Sequence, residues 1–438
     1  MFGYYVKLAF KSIKKNPLLS SLMVFAIALG IGASMTTITV NYLMSANPIP
    51  EKSEQLFYVQ VDSWDPHNAF NDETGAPPNQ LTWTDASNLF NAQKATKQVV
   101  MAKSGGIVVP DNQDVNPFET QIRLTTGEFF NMFNTPFLYG AGWDLSVDQN
   151  NEQVVVLTRT LNEKVFGGEN SVGRNIVIAG QHFQVVGVLD TWQPVPKFYD
   201  VNNGAFDEVE DVFMPFFLKE SFELPSWGNT NCWKSPEGEG FKAFLQSECI
   251  NYQMWVQLNN PIEKADYFSF LNSYVGDQKP FGRFPRPMNN QLSDVMEWME
   301  REEVVEDDAK MMMWMSFMFL MVCLLNTIGL LLAKFIGKSS EIGLRRAIGA
   351  SKGDVFTQHI IEAACVGLLG GLVGLLLAFV GLQGIKSLYG DFVNNLIQLD
   401  FAMASLGILI ALVTSILAGL YPTWRACNIS TANQLKSQ

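Results

Sequence analysis

Residues 311–332 read MMMWMSFMFLMVCLLNTIGLLL, an apolar run without a charged residue. About 20 helical residues cross the hydrocarbon core of a bilayer, so this run predicts a transmembrane helix. Three other runs are long and apolar enough for the same role: Leu18 to Met44, Val355 to Leu382 and Phe401 to Tyr421. The sequence therefore predicts an α-helical membrane protein with four transmembrane helices.

The charged residues are divided unevenly between the regions that these runs separate. Residues 47–310 contain 18 Lys and Arg against 38 Asp and Glu, whereas the rest of the chain contains 12 against 5. Lys and Arg of short loops remain on the cytoplasmic side of a membrane. We therefore expect both termini and the basic stretch from Lys334 to Lys352 to face the cytoplasm. Residues 47–310 and the loop around Asp391 then lie outside.

The first 15 residues contain four lysines and precede the first apolar run. That run is too long for a secretory signal, whose apolar core has roughly 7–15 residues, so we expect an uncleaved membrane anchor. Apolar residues of the segment 1–15 share one helical face, which indicates a helix in the cytoplasmic membrane interface. A charged flank that only orients the first span would explain the same composition.

The chain is divided at these features. The first run has 27 residues, more than a bilayer about 30 Å thick requires at about 1.5 Å per residue, so we expect it to continue outward as a stalk. The expected segments are an interfacial helix (1–15), the first span with a stalk (16–46), an external domain (47–292), a second stalk helix (293–310), the second span (311–333), a cytoplasmic loop with a short helix (334–354), the third span (355–382), a short external loop (383–399), the fourth span (400–422) and a cytoplasmic tail (423–438).

The external region mixes strand-like and helix-like segments, which predicts a mixed α/β domain of two subdomains carried on the helical stalks. The stretch from Asp200 to Gly240 is rich in Gly, Asn, Pro and aromatic residues, so we expect long loops there. Strands are predicted over Val99 to Val109, Gln153 to Leu157, Asn175 to Ile178 and Phe183 to Leu189, and helices over Trp83 to Lys94, Thr126 to Phe133 and Arg159 to Phe166.

Two of the five cysteines, Cys232 and Cys249, lie in the external region. An oxidising compartment allows a disulfide there, and we predict that these two residues pair. Two unrelated free thiols are the alternative. The other three cysteines belong to the spans and the cytoplasmic tail.

Motifs of common enzymes are missing from the 438 residues. There is no G-x-x-x-x-G-K-[ST] phosphate-binding loop, and the three histidines stand far apart without a metal-binding spacing. We expect no catalytic residue, no metal site and no cofactor in this chain, and no nucleic-acid partner.

The predicted spans contain a few polar or small residues of interest. Glu362 and His359 lie one helical turn apart, where we favour a structural or coupling role over a proton relay. Asn326 could form a hydrogen bond across helices, but we expect it mainly to contribute to packing between them. Four glycines form two overlapping small-xxx-small pairs, which let helix backbones approach closely within one chain or across a dimer: Gly367, Gly370, Gly371 and Gly374.

The stretch 339–351, SSEIGLRRAIGAS, predicts a short amphipathic helix in the cytoplasmic loop. Its apolar residues would contact a partner, as a helix docks in a groove, while its charged residues supply polar contacts. An ordinary basic loop is the alternative. The candidate contact residues are Glu341, Ile342, Gly343, Leu344, Arg345, Arg346, Ala347 and Ile348.

The stretch from Glu341 to Ser351 resembles the signature after the second span in permeases of the MacB type, which are related more distantly to FtsX and the LolC-like lipoprotein-release permeases. Residues Val154 to Leu189 resemble the periplasmic core domain of that family, and Gly419 to Ala426 resemble its closing motif. Two departures are the missing N-terminal ATPase of MacB and the segment 200–240, which fits no pattern of the family.

The resemblance implies a permease subunit of an ATP-driven ABC exporter in a bacterial inner membrane, with its large domain in the periplasm. Glu341 to Ile348 would then form the coupling helix on a dimer of separate ATPase subunits, which bind ATP and Mg²⁺. It further implies a second permease copy or a homologous partner, membrane lipids, and a periplasmic adaptor with an outer-membrane channel. An FtsX-like signalling subunit that activates an external hydrolase and a lipoprotein-release permease are the alternatives, and the cargo stays open.

Overall fold

The computed structural model describes residues 2–110, 115–305, 307–389 and 401–428. The chain forms two compact units, one of residues 46–304 and the other of residues 1–45 with 305–438. The loop expected over 383–399 lies outside the described residues from residue 390 onward, and the tail expected over 423–438 does so from residue 429 onward.

The discontinuous unit consists mainly of helices. Four of its helices are long and apolar enough to cross a membrane, judged by length and composition. They contain the four apolar runs, so the prediction of four membrane-spanning helices is confirmed. Numbered along the whole chain, the helices of this unit are α1 (Phe2–Lys15), α2 (Pro17–Met44), α11 (Asp307–Gly337), α12 (Ser339–Ala347), α13 (Lys352–Tyr389) and α14 (Phe401–Asn428).

The helix α14 extends beyond the predicted fourth span. That span is predicted over residues 400–422, and the helix continues through Pro422 to Asn428. A proline removes one intrahelical hydrogen bond and kinks a helix without necessarily ending it. Thr423 and Ala426 in the following turn are buried against the unit, and this packing favours the continued helix.

Two glycines of α13 lie at its contact with α2. A Cβ atom added at Gly370 would come within 2.7 Å of Cγ2 of Ile27, and one added at Gly374 within 2.9 Å of Cβ of Ile31. Both distances are too short for real side-chain contacts. Close approach of α13 and α2 therefore requires glycine at both positions.

The other two glycines lie at the contact between α13 and α14. A Cβ atom added at Gly371 would come within 2.7 Å of Cβ of Ala411, and one added at Gly367 within 2.3 Å of Cβ of Ser415. All four glycines are therefore used in packing within this chain.

We expect Gly374→Ala to destabilise the chain by about 1–3 kcal/mol, because the added methyl group overpacks the contact with α2. Gly384→Ala is the matched control on the same helix, since a Cβ atom there meets nothing within 4 Å. Thermal unfolding of the purified full-length chain in detergent measures the difference. Equal melting temperatures for the two variants would contradict the prediction.

The continuous unit, residues 46–304, combines strands with mostly short helices. The four strands and three helices predicted from the sequence are all present. Its elements are β1 (Leu56–Gln60), β2 (Leu81–Thr82), α3 (Trp83–Asn91), β3 (Lys97–Val109), β4 (Phe118–Thr125), α4 (Glu128–Met132), β5 (Phe137–Gly140), α5 (Leu145–Asn150), β6 (Val154–Leu157), α6 (Arg159–Phe166), β7 (Asn175–Ile178), β8 (Gln181–Leu189), β9 (Val212–Pro215), α7 (Leu218–Ser221), β10 (Asn231–Cys232), α8 (Phe241–Leu245), β11 (Cys249–Gln257), α9 (Pro261–Gln278), β12 (Gln291–Asp294) and α10 (Val295–Arg301).

These strands form one mixed sheet. Its main path runs β12-β1-β11-β3-β4-β9-β6-β8-β5, while β2 and β10 pair with β11, and β7 pairs with β3 and β8. The pairs β4 with β9 and β6 with β8 are parallel. The helix α6 connects β6 to the β7–β8 hairpin and ends at Gly167, whose φ of +69° glycine adopts without steric cost.

Both faces of the sheet are covered. Alternate strand residues belong to two separate buried clusters, so Val155 and Leu157 of β6 join one cluster and Val154 and Val156 the other. Residues of α3, α6 and α9 belong to the first cluster, and those of α4 and α10 to the second. Strands buried on both faces read as continuous apolar runs. One sheet passes through the whole unit. The predicted division of this unit into two subdomains stays a prediction.

The stretch from Asp200 to Gly240 consists mostly of loops, as its composition predicts, but it also contributes to the sheet. It supplies β9, which pairs with β4 and β6 in the middle of the sheet. Asp200 and Glu210 are both buried and form ion pairs with Arg123, and Lys197 lies 3.3 Å from Glu210. Two cations and two anions therefore compensate one another inside this unit.

A disulfide joins Cys232 and Cys249, which lie opposite each other on β10 and β11.

The continuous stalk helix predicted over residues 293–310 is wrong. The helix α10 ends before Glu303, which adopts a φ of +50°, and α11 begins only at Asp307. Trp298 of α10 is fully buried and stacks on Tyr58 of β1 with ring centroids 3.7 Å apart. This aromatic contact makes α10 part of the core of the continuous unit.

Asp148 is a buried acid beside a cavity of about 590 Å³ in the continuous unit. Its carboxylate accepts hydrogen bonds from the backbone N–H of Gly127 and from Nε1 of Trp143, both at 2.9 Å. Burial raises the pKa of the Asp148 carboxyl to about 7, although the two hydrogen bonds favour the ionised form.

We expect Asp148→Asn to change how the stability of the chain depends on pH. The unfolded carboxyl releases its proton near pH 3.8, but the folded one keeps it to about pH 7. The wild type therefore loses stability, relative to the variant, as the pH rises between these values, by at most about 4 kcal/mol. Melting temperatures of both full-length proteins across this range test the prediction, which a pH-independent difference would contradict.

Candidate coupling site on the helical unit

Local sequence signals delimit α12 at both ends. It follows α11 after one residue, Lys338, and beyond its last turn Gly349 adopts a φ of +113°. Glycine reaches such positive φ values without steric cost. At the start of α13, the backbone N–H of Asp354 donates to Oγ of Ser351, while that of Ser351 donates to the Asp354 carboxylate. This reciprocal capping box fixes where α13 begins.

The buried side of α12 is small. Ile342 is 4% exposed and belongs to a buried cluster with Phe335 and Val355, and Gly343 is also buried. The prediction that Ile342 contacts a partner is therefore wrong, because helices of its own unit cover this side chain. Burial of one isoleucine contributes about 1.5–3 kcal/mol, which holds α12 on the helical unit.

Polar side chains of α12 contact the neighbouring helices. Glu341 lies 2.7 Å from Arg345 and 3.6 Å from Lys15 of α1, while Arg345 donates a hydrogen bond of 2.8 Å to Gln358 of α13. Arg346 donates to the carbonyl of Cys427 in α14 at 3.2 Å. Exposed ion pairs of this kind contribute about 0–1 kcal/mol each. They orient α12, but the burial of Ile342 contributes more to its stability.

The exposed side of α12 is apolar. Leu344 is 55% and Ile348 78% exposed, and Ala347 between them is also exposed. Large apolar side chains one helical turn apart are the type of anchor that a helix inserts into a groove of a partner. Three of the eight predicted contact residues thus form this apolar face, defined as Leu344, Ala347 and Ile348.

Glu362 of α13 lies at the centre of a buried polar cluster near α12. Its carboxylate is 2.7 Å from Nζ of Lys334, both being fully buried, and 3.4 Å from Nζ of Lys338. The hydroxyl of Ser12 in α1 donates to it as well, and Lys334 also donates to Ser20 of α2 at 3.2 Å. Burial lowers the pKa of the Lys338 amine, although Glu362 opposes this effect. The cluster joins α1, α2, α11 and α13.

Sequence reasoning singles out Glu362 but misses its partners. It places Lys334 and Lys338 in a solvated basic loop, whereas Lys334 belongs to the last turn of α11 and Lys338 follows it. Their spacing of four residues after an apolar run is a signal that both lie on one helix face. Asn326, expected between helices, lies on the exposed side of α11.

Two family models match the sequence. The model described as MacB-like periplasmic core domain matches residues 20–265, more than half of the chain. The model described as FtsX-like permease C-terminal matches residues 313–431. The second match contains α12 and the contacts that surround it, apart from those made by α1 and α2.

The sequence is also similar to curated proteins. It is 21% identical to the macrolide export ATP-binding/permease protein MacB of Wolinella succinogenes over 99% of this chain and 60% of that protein. It is 19% identical to the uncharacterized ABC transporter permease YknZ of Bacillus subtilis over 98% of each. The chain thus spans three-fifths of the length of that MacB protein.

Among solved structures, the periplasmic region of MacB from Actinobacillus actinomycetemcomitans matches with a TM-score of 0.36 and 14% identity, covering 58% of this chain and 95% of that one. Membership of a family rests on the matches to the sequence models.

We expect Glu362→Gln to destabilise the chain by about 3–5 kcal/mol, because it leaves the buried ammonium group of Lys334 without its counter-charge. Adding Lys334→Met removes that unpaired charge and recovers part of the loss. A double-mutant cycle on the unfolding of the purified full-length chain measures the coupling, with Glu341→Gln as the exposed control. Additive losses from the two substitutions would contradict the prediction.

Proposed function

The chain belongs to the family of ABC transporter permeases with a MacB-like periplasmic core domain and an FtsX-like C-terminal region, and we propose that it is the membrane subunit of an ATP-driven exporter. In this proposal the catalytic sites, with ATP and Mg²⁺, belong to a dimer of separate ATPase subunits. In this proposal the chain contributes no catalytic residue and transmits the ATP-driven motion of the ATPase subunits to its own helices.

The observation that carries the proposal is the apolar face of α12. Leu344 and Ile348 are the exposed anchors, while Ile342 attaches the opposite part of the helix to its own unit. A helix attached on one side and exposed on the other suits the transfer of displacement from a bound partner. The partner that fits is an ATPase subunit with an apolar groove, as in the MacB-type permeases.

Motion of α12 has a direct route into the membrane helices. Arg345 contacts Gln358 of α13, and α13 packs tightly on α2 at Gly370 and Gly374. The chain enters the continuous unit after α2 and returns through α11. Because α-helices are stiff along their axes, we propose that ATP-driven displacement of α12 reaches the continuous unit through these two connections.

The proposed transport direction is outward from the periplasm or the outer leaflet. Within the described spans, Glu362 and Lys334 form a closed ion pair near α12 and do not form a polar path along the helices. We therefore propose an inner-membrane location with both termini in the cytoplasm, a second permease copy or homologue, and cargo handover to an adaptor and an outer-membrane channel. The basic flanks of the spans support this orientation.

The FtsX-like match over residues 313–431 also supports a second candidate, a signalling subunit that activates an external hydrolase. Its coupling site would be the same apolar face of α12. The external protein that co-purifies with the tagged chain distinguishes them: an adaptor with an outer-membrane channel supports export, and a hydrolase supports signalling.

We expect Leu344→Glu combined with Ile348→Glu to abolish co-purification of the ATPase subunit and its stimulation by the chain, because two carboxylates cannot enter an apolar groove without a large desolvation cost. The measurement is a pull-down of the tagged chain from its native membrane, followed by ATPase assays in nanodiscs.

Two controls separate loss of contact from misfolding. Leu344→Met combined with Ile348→Val keeps the face apolar and should retain binding, and Lys14→Glu adds a carboxylate to an exposed site on α1. If the double-glutamate variant still binds the ATPase and has a wild-type melting temperature, the assignment of Leu344 and Ile348 as the coupling contact is wrong.

A further inference from the structure

A cavity of about 170 Å³ lies between α1, α12 and α13. By volume it accommodates several water molecules. Its α12 residues are Glu341, Ile342 and Arg345, and Leu344 and Ile348 do not line it.

The lining of the cavity carries an excess of positive charge. Four cationic side chains reach it, and Glu341 is the single carboxylate among the described lining residues. Glu341 is shared between Lys15 and Arg345, and Lys338 lies beside Glu362. Lys11 has no ion pair among the residues that the structure describes. The cavity is thus suited to an anion.

A buried side chain in the wall of the cavity has an incomplete set of hydrogen-bond partners. His359 of α13 is 4% exposed and lines the cavity. The backbone of Val355, one helical turn earlier, interacts with its ring, which leaves at least one ring nitrogen without a partner among the described residues. Phe335 packs against the ring with centroids 4.4 Å apart. A buried polar group without a partner is unfavourable, and a ligand with acceptor oxygens in the cavity would satisfy it.

From the cationic lining and the incompletely hydrogen-bonded ring of His359 we infer that this cavity binds an anionic phosphate group. Phosphate combines negative charge with several acceptor oxygens, so it can contact an amine, a guanidinium group and an imidazole together. Lys11, Arg345 and His359 supply one group of each kind from three different helices. Basic pockets between membrane helices are suited to the headgroups of anionic lipids.

The adjoining membrane leaflet is the nearest source of such a group. Tyr4 and Phe10 of α1 are 63% and 47% exposed, which is typical of a helix that lies at the lipid surface. Free phosphate has the same chemistry and is the second source to test. The inference requires only that the helical unit is inserted in a membrane, and it does not depend on the proposed contact with an ATPase.

The test uses the purified full-length chain in detergent, titrated separately with dioleoyl phosphatidylglycerol, dioleoyl phosphatidylcholine and inorganic phosphate. Native mass spectrometry counts the bound molecules. We expect Lys11→Gln to weaken binding of phosphatidylglycerol about fivefold, from about 1 kcal/mol per lysine. Lys14→Gln is the matched control, because it removes an exposed lysine of the same helix that does not line the cavity. His359→Leu should also weaken binding, whereas His359→Gln, which keeps a donor, should retain it.

Tighter binding of phosphatidylglycerol than of phosphatidylcholine, lost in Lys11→Gln and kept in Lys14→Gln, supports the site with a lipid as its source. The same dependence on Lys11 for inorganic phosphate alone supports the phosphate site with a soluble source. Equal loss in the two lysine variants, or no loss in either, overturns the inference. Melting temperatures of each variant without ligand show whether a loss reflects unfolding.

Discussion

At Gly370 and Gly374 the backbone of α13 lies so close to α2 that a Cβ atom at either position does not fit, and at Gly367 and Gly371 the same is true of its contact with α14. Lipid supplies no hydrophobic force between membrane helices, so their association depends on such close packing and on interhelical hydrogen bonds. Ser415 of α14 adds one of these bonds by donating to the carbonyl of Ala363 at 2.6 Å. The helix α13 also carries Gln358, His359 and Glu362, at the end that lies near α12. The geometry of the coupling site and of the phosphate-sized cavity therefore follows from where these glycines place α13.

Much of the architecture was accessible from the sequence because the bilayer and the sheet impose strong patterns. Four apolar runs predicted four spans, and segments rich in Val and Ile predicted strands where the structure has them. The failures concern contacts between distant residues. The helical spacing in the charged segment 293–310 predicts one continuous helix. The sequence does not show that Trp298 stacks on Tyr58 of a distant strand. Ile342 was assigned to a partner because an amphipathic pattern shows that a face is apolar, without showing which protein covers it. Asp200 and Glu210 form ion pairs with Arg123, which lies far from both along the chain. No local sequence pattern predicts these contacts.

The two family matches, residues 20–265 and 313–431, fall largely on different units of the molecule. Family membership is thus supported in both units, whereas the functional proposal depends on α12 and its surroundings alone. In the proposed coupling site, the resemblance to the family indicates the segment 341–348, and the structure distinguishes its residues by exposure. Leu344, Ala347 and Ile348 are accessible, Ile342 and Gly343 hold the helix, and Glu341 and Arg345 orient it. This division of roles within one short helix allows attachment and recognition to be altered separately by substitution.

Both faces of the sheet of the continuous unit carry a buried cluster, one with residues of α3, α6 and α9 and the other with residues of α4 and α10. Exposed side chains of its helices, loops and strand ends can therefore be exchanged without disturbing the packed interior. Substitutions at those exposed positions can accumulate while the buried residues of the sheet are preserved. The buried alternation of β6 and its neighbours would then persist in descendants that share few surface residues, and recognition of different molecules would evolve on a scaffold that selection leaves largely intact.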